Sequence, residues 1–369
     1  MNEIRKIYKK DIPALLDDAD FWSSPFLSIS RHRLYAHWQN PDSDPEDIAL
    51  LLAYADGHIA GYMGVYIDKI LLDGTQHKIG WLSTWWVHPR TKGTGIGRNI
   101  LDTMYAENKG KIGISQFTPS AKRVYDKSGY FYTLKESVGI KAVLRSDMVH
   151  LVPALYPKLK FLRPVWKVAD AAVNALYGIK VWFHKRALAH SLAGIEIDYV
   201  TTLDAETDAF VQSRNSNHIA RKSKDFYHWM KSCRWVEDAP LLDFTQRSKY
   251  EFSMYDKGFE FYLMKIVSKD AVIGFMVLQK RHKTMKVLYV YSNPEYFEIL
   301  ANIIKLQAIE QDMNEIICYD KGIVPHLKSS GLFLYRRKKV KHSIISKVFE
   351  KENFDDVVMN FGDGDCSFA

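Results

Sequence analysis

The chain has 369 residues, of which 47% are hydrophobic and 25% charged. This is enough for two domains with ordinary cores and excludes a disordered or fibrous protein. The net charge of +8 is uneven: residues 146–195 carry seven Lys and Arg against two Asp and Glu, while residues 196–369 are balanced, so no basic stripe repeats along the chain and nucleic-acid binding is disfavoured.

Cys233, Cys318 and Cys366 are widely spaced. They form neither a disulfide framework nor a zinc-type pair, and a reducing, cytoplasmic location is expected. The early charges Glu3, Arg5, Lys6, Lys9 and Lys10 argue against a signal peptide, and no uncharged apolar run is long enough to cross a bilayer.

In chain order, Glu3–Tyr8 is predicted to be a strand. Asp11 and Pro13 open a helix, and Ser28 or Ser30 starts another that runs to about Gln39. After the loop at 40–45, three strands meander: Ile48–Ala55, Ile59–Leu72 and Lys78–Val87. The first two turns contain Asp56-Gly57 and Asp73-Gly74, which are hairpin signals between apolar runs. A glycine loop leads into a helix over 95–109, followed by a strand at 111–116, a helix at 119–128 and strands at 130–144. Residues 146–195 read as a basic helical connector. From Ile195 the same order recurs: strand, two helices, a meander over 260–291, a long helix from Pro294 to Gln311, a strand at 315–319, a short helix, and a strand at 331–335. The expected organisation is a domain at 1–145, the connector at 146–195 and a second domain at 196–369.

The loop reads Lys92-Gly93-Thr94-Gly95-Ile96-Gly97-Arg98. Alternate glycines at a helix N-terminus let several backbone N–H groups face one point, and the helix dipole adds to their preference for an anion such as phosphate. The spacing fits neither a Gly-x-Gly-x-x-Gly dinucleotide turn nor a P-loop. Downstream, Thr118-Pro119-Ser120-Ala121-Lys122-Arg123-Val124-Tyr125-Asp126-Lys127-Ser128-Gly129-Tyr130 is a helix with Pro in its first turn and Gly at its stop.

Together these motifs resemble the GNAT superfamily of N-acetyltransferases. Lys92 to Gly97 corresponds to the family's pyrophosphate loop, with Lys at the first position in place of Arg or Gln. Thr118 to Tyr130 corresponds to its later motif, with Ala121, Tyr125, Lys127 and Gly129 matching. The resemblance implies an α/β fold with a mixed sheet, acetyl-CoA as cosubstrate and direct acetyl transfer to an amine. It implies Tyr125 as general acid toward the departing thiolate. It also implies acetyl-CoA contacts from Trp85 and Val87 on the preceding strand, from Lys92, Gly93, Thr94, Gly95, Ile96, Gly97 and Arg98 in the loop, and from Thr118.

The second half matches the first in pattern but not in residues. Its strand-to-helix turn, Tyr291-Ser292-Asn293-Pro294-Glu295, has no glycine and no cation. A tandem GNAT-like protein with a degenerate second copy is therefore expected. The segment from His218 to Trp229 resembles large acetyltransferase-like proteins of bacterial surface-polysaccharide clusters, which points to an amino-sugar nucleotide or related precursor as acceptor. A FemABX-like aminoacyltransferase is a competing reading, against which the intact glycine loop counts. A binding or scaffold protein with a vestigial fold is another.

The general base is not fixed by the sequence; His77, Ser83, His88 and Asp68 lie near the meander. His150, His184 and His190 have no metal-ligand spacing, so no metal is expected. In the connector, Leu155, Tyr156, Phe161, Leu162, Val165, Trp166, Val168, Leu176, Tyr177, Trp182 and Phe183 are expected to be consumed by packing. Contact with an anionic membrane through Arg163, Lys167, Lys180, Lys185 and Arg186 is the less favoured alternative.

Overall fold

The computed structural model describes residues 2–24, 26–72, 74–91, 93–238, 255–256 and 258–367. In chain order, the early elements are β1 (Asn2–Tyr8), α1 (Ile12–Asp17), α2 (Ala19–Ser23), α3 (Arg31–Trp38), β2 (Ile48–Ala55), β3 (His58–Leu72), β4 (Thr75–Val87), α4 (Ile96–Glu107), β5 (Ile112–Ile114) and α5 (Pro119–Ser128). The middle of the chain gives β6 (Phe131–Val143), α6 (Met148–Leu155), α7 (Arg163–Ser191), β7 (Ile195–Val200), α8 (Ala205–Gln212), α9 (Lys224–Ser232) and the short β8 (Glu237–Asp238) and β9 (Tyr255–Asp256). Next are β10 (Glu260–Ser268), β11 (Ala271–Arg281), β12 (Thr284–Ser292), a helix at Phe297–Glu310, β13 (Glu315–Cys318), a helix at Ile323–Ser329 and β14 (Tyr335–Ser346).

The chain forms two compact units. One comprises Met1–Ser137, Thr201–Phe259 and Lys341–Ala369, and the other Val138–Val200 and Glu260–Val340. This partition differs from the expected boundaries at 145 and 195. The reason is packing: α9 and the C-terminal segment bury their apolar residues in the first unit, and α7 joins the core of the second.

In the first unit β1, β2, β3 and β4 pair antiparallel in sequence order, β5 joins β4 in parallel, and Ile344 and Ile345 pair antiparallel to β5. The apolar run Ile48–Leu52 is buried without interruption, as expected of a strand covered on both faces. Alternate residues feed two cores. Leu51, Ala53, Met63 and Val65 pack with Ile96, Ile100, Leu101 and Met104 of α4. Leu50, Leu52 and Tyr62 pack with Ile12, Leu15, Phe21 and Leu34 of α1, α2 and α3. The β2–β3 turn puts Asp56 and Gly57 at φ +50° and +77°, the left-handed pair that suits hairpin twist. Ser223 caps α9 by accepting from the Phe226 amide, and the helix buries Phe226, Tyr227, Trp229 and Met230. The Trp229 ring stacks on Tyr66 at 5.8 Å, and its Nε1 donates to the Ala36 carbonyl.

In the second unit β7, β10, β11 and β12 pair antiparallel, β13 joins β12 in parallel, and residues 140–143 of β6 pair with β13. Helix Phe297–Glu310 buries Leu300, Ala301, Ile303, Ile304 and Ala308 against this sheet. Meander, turn, helix and parallel strand thus follow one another as in the first unit. The expected strand at 331–335 begins only at Tyr335 and runs to Ser346. Asp170, on the inner face of α7, accepts from Ser146 Oγ and from the amides of Met148 and Val149, which caps α6 from a distance.

Candidate active site

The glycine loop joins β4 to α4. Gly93 and Gly95 have φ of +88° and +83°, and Gly95 is the N-cap of α4 with no side chain closing it. By contrast α3, α5, α8 and α9 are each capped by a Ser, Thr or Asp side chain. The first-turn amides of α4 have no intrahelical acceptor, so an open, partly positive N-terminus faces outward. At Gly97 a Cβ would sit 3.3 Å from Val87 Cγ2 and 3.5 Å from Trp85 Cζ2, so the loop closes tightly onto the end of β4. These features fit a pyrophosphate.

The loop's side chains have other duties. Ile96 is buried in the core, which leaves only its backbone for a ligand. Thr94 Oγ1 donates to the Thr91 carbonyl at 2.7 Å. Arg98 pairs with Asp102 and lies 5.0 Å over the Tyr130 ring. Thr118 caps α5 by accepting from the Ala121 amide. Lys92 lies outside the described residues.

Strand β4 carries a bulge. Gly64 pairs with Ser83 and Met63 with Trp85, so Thr84 is the extra residue, at φ +51°. A bulge bends its strand and increases the local twist. The pairing of β4 with β5 covers only Gly80 with Ile112 and Trp81 with Gly113, so beyond these residues the two parallel strands are unpaired. Trp85 and Val87 follow the bulge. The Trp85 ring lies 5.4 Å from that of Tyr125, and its Nε1 is buried with no partner among the described residues. Tyr125 is buried among Trp85, Phe117 and Phe131. Burial, with the Asp365 charge adding to it, raises the phenol's pKa well above its ordinary value.

Gly364–Ser367 forms a turn against β4 and β5. A Cβ on Gly364 would lie 2.6 Å from Ser115 Cβ and 3.2 Å from Trp81 Cδ2, so the backbone enters there only because residue 364 has no side chain. Ser115 Oγ donates to Asp365 Oδ1, and Ser83 also hydrogen-bonds this carboxylate. Arg33 Nη2 donates to Ser83 Oγ at 2.8 Å. Burial raises the Asp365 pKa, while Ser115, Ser83 and the charge of Arg33 pull against it. Burial likewise lowers Arg33 to about 10, with Asp365 and Tyr62 opposing.

A second buried acid–base group adjoins this one in the sequence. Both oxygens of Asp68 accept from Lys222 Nζ at 2.7 Å. Asp363 accepts from the Asn360 amide through Oδ2, and its Oδ1 has no partner among the described residues. Burial raises Asp363 to about 7, against the pull of Lys222 and Lys341.

Of the expected base candidates, Ser83 lies in the Asp365 cluster and Asp68 is occupied by Lys222. Partly exposed His88 accepts the Arg90 amide on Nδ1. His77 pairs in register with Ile70 near the other end of β4. Asp365 was not foreseen. The available signal was Phe361-Gly362-Asp363-Gly364-Asp365-Cys366, two acids each preceded by a glycine and set beside apolar residues, a composition that suits burial poorly unless the acids have partners.

Residues 3–130 match the model of the acetyltransferase (GNAT) family, whose members use acetyl-CoA as cosubstrate. The aminoglycoside N(6')-acetyltransferase type 1 of Stenotrophomonas maltophilia is 32% identical over 65 residues, which is 17% of this chain and 42% of that protein. The chain therefore matches less than half the length of this curated relative. Among solved structures, a probable N-acyltransferase from Enterococcus faecalis matches with a TM-score of 0.50 at 10% identity, covering 94% of this chain and 72% of that one. A tandem GNAT protein from the clavulanic acid biosynthesis pathway matches at a TM-score of 0.46 and 11% identity, covering 94% and 98%. The fold is a mixed α/β fold of the GNAT type.

Proposed function

We propose that this protein is an acetyl-CoA-dependent N-acetyltransferase acting through its first unit. The observation that carries the reading is the uncapped α4 N-terminus at Gly95, set on the bulged end of β4 beside Tyr125. The first-turn amides of α4, with Gly93, Gly95 and Gly97, hold the pyrophosphate. The amides after Thr84, left unpaired where β4 departs from β5, hold the pantetheine chain and polarise the thioester carbonyl.

The attacking amine must lose a proton and the sulfur must leave. Asp365 is the proposed base: a half-buried carboxylate with a raised pKa is a better proton acceptor than a fully exposed one. Ser115 and Ser83 hold it in place. Tyr125 is the proposed acid. Its raised pKa keeps it protonated at working pH, so it donates a hydrogen bond to the sulfur as charge develops. When Asp365 takes up the amine's proton, its negative charge disappears and the phenol becomes more acidic, at the stage when the thiolate needs a proton.

The acceptor we favour is the amine of an amino sugar, as in an amino-sugar nucleotide or related surface-polysaccharide precursor. The matched Stenotrophomonas maltophilia enzyme is named an aminoglycoside N(6')-acetyltransferase, and aminoglycosides carry amino-sugar rings. The second unit is read as a degenerate copy: its strand-to-helix turn is the short helix Pro294–Tyr296, entered from Asn293 at φ −80°, with no left-handed residue to open an anion site.

Calorimetric titration with acetyl-CoA tests the donor site and should give one site per chain. Gly95→Asp should abolish binding, because it strains a left-handed position and puts a negative charge at the helix N-terminus. Two equivalent sites would refute the degenerate-copy reading, and no binding by the unaltered protein would refute the activity.

A further inference from the structure

Only part of the apolar residues of the 146–195 segment is consumed by packing, where the sequence suggests that all are. α7 turns one stripe inward: Trp166, Asp170, Asn174, Tyr177, Val181 and Leu188 are buried or partly buried. Tyr177 donates to the Leu332 carbonyl, Val181 packs on the core of its unit, and Lys185 pairs with Glu310. At 100° per residue the opposite side carries Val165, Val168, Leu176, Ile179, Trp182 and Phe183. Leu176 is 75% exposed, Val168 70%, Phe183 62% and Ile179 61%. The preceding turn adds Phe161, 75% exposed, along with Leu155 and Tyr156. The helix therefore has two apolar stripes and uses only one of them for folding.

Charge identifies what covers the second. Lys158, Lys160, Arg163 and Lys167 are exposed and form no ion pair among the described residues. Arg186 lies over the Trp182 ring at 3.9 Å and Lys180 over Tyr177 at 5.1 Å. The only acids in the segment are already engaged, Asp170 as a buried cap and Asp147 with His150. An exposed aliphatic and aromatic stripe flanked by unpaired cations complements an anionic bilayer surface: the apolar side chains enter the headgroup–acyl boundary and the cations meet lipid phosphates and carboxylates. No helix among the described residues is long and apolar enough to cross a membrane, so contact of this kind would lie in the plane of the surface.

We propose that α7 and the turn before it dock the protein on an anionic lipid surface. The test is cosedimentation of the full chain with phosphatidylcholine vesicles, with and without phosphatidylserine, at low and high salt. Binding is expected to the anionic vesicles, and to weaken by about tenfold or more in their neutral counterparts or when salt screens the cations. The double variant Leu176→Asp/Phe183→Asp changes only exposed side chains. It should lose binding to anionic vesicles while keeping the thermal unfolding midpoint of the unaltered protein. Lys160→Gln/Lys167→Gln should weaken the salt-sensitive part alone. Absence of binding to any vesicle would overturn the proposal, as would equal, salt-insensitive binding to both kinds. It would also be overturned if ultracentrifugation without lipid showed a dimer that the same double variant made monomeric, because a second copy would then cover the stripe.

Discussion

Asp365 and Tyr125 make separable predictions. Tyr125→Phe keeps the ring that packs on Trp85, Phe117 and Phe131 and removes only the hydroxyl, so acetyl-CoA affinity should hold while turnover falls by about 10²–10⁴, the range for a positioned acid. Asp365→Asn should lower turnover as well, and should change the pH profile. Burial holds this carboxylate's pKa above the ordinary range, so the unaltered enzyme should gain activity as pH rises through that raised value and the base ionises. In the Asn variant this acidic limb should vanish. A limb that persists in Asp365→Asn would assign the base elsewhere. The asymmetry in what the sequence reveals follows from the chemistry. The proposed donor loop is a run of seven consecutive residues whose glycines are needed for backbone reasons. The proposed base reaches its place from a turn 250 residues beyond Ser115, and no local pattern records that meeting.

Among the elements, β3 and α9 are joined through one ion pair. Lys222 precedes the Ser223 cap of α9, Asp68 sits in β3, and both side chains are only 2% exposed. Lys222→Met would leave Asp68 buried without its counter-charge, at a cost of about 3–5 kcal/mol. Asp68→Asn combined with Lys222→Met should recover most of that loss, measured by urea unfolding at neutral pH. The single variant should also regain stability as pH falls, since an unpaired buried carboxylate takes up a proton. If the single and double variants were equally unstable, the pair would be holding the elements by shape rather than by charge. Some helix ends were legible: Ser30, one of the two expected starts, caps α3, and α5 runs from Pro119 to a stop at Gly129 as its sequence implies. Which face each helix buries was less so. On α7 both sides are apolar, and periodicity alone does not say which one the fold uses.

For the whole molecule, the repeated order of meander, helix and parallel strand could be read from hydrophobic pattern, but the discontinuity of the first unit could not. Residues 201–259 look like part of a second copy because their two helices follow the strand at 195–200, as two helices follow a strand near the start of the first. Their destination depends on contacts more than 150 residues away, among them Lys222 with Asp68 and Trp229 with Tyr66. A fragment of residues 1–145 should therefore fail to fold cooperatively, since it retains Arg33 and Asp68 without Asp365 and Lys222. Thermal unfolding followed by near-ultraviolet circular dichroism would show this, and a sharp transition in the fragment would contradict the unit boundaries.

The same arrangement has a consequence for how the protein is made. Arg33 and Asp68 leave the ribosome early, Lys222 emerges 154 residues after Asp68, and Asp365 comes later still. At about 5–20 residues per second, roughly 15–60 s separate Asp68 from Asp365. Until Lys222 emerges Asp68 has no counter-charge, and until Asp365 emerges the cluster around Arg33 and Ser83 lacks its carboxylate. If Asp365 is the base, a nascent chain that could already hold acetyl-CoA would lack the means to activate an amine until residue 365 had been added.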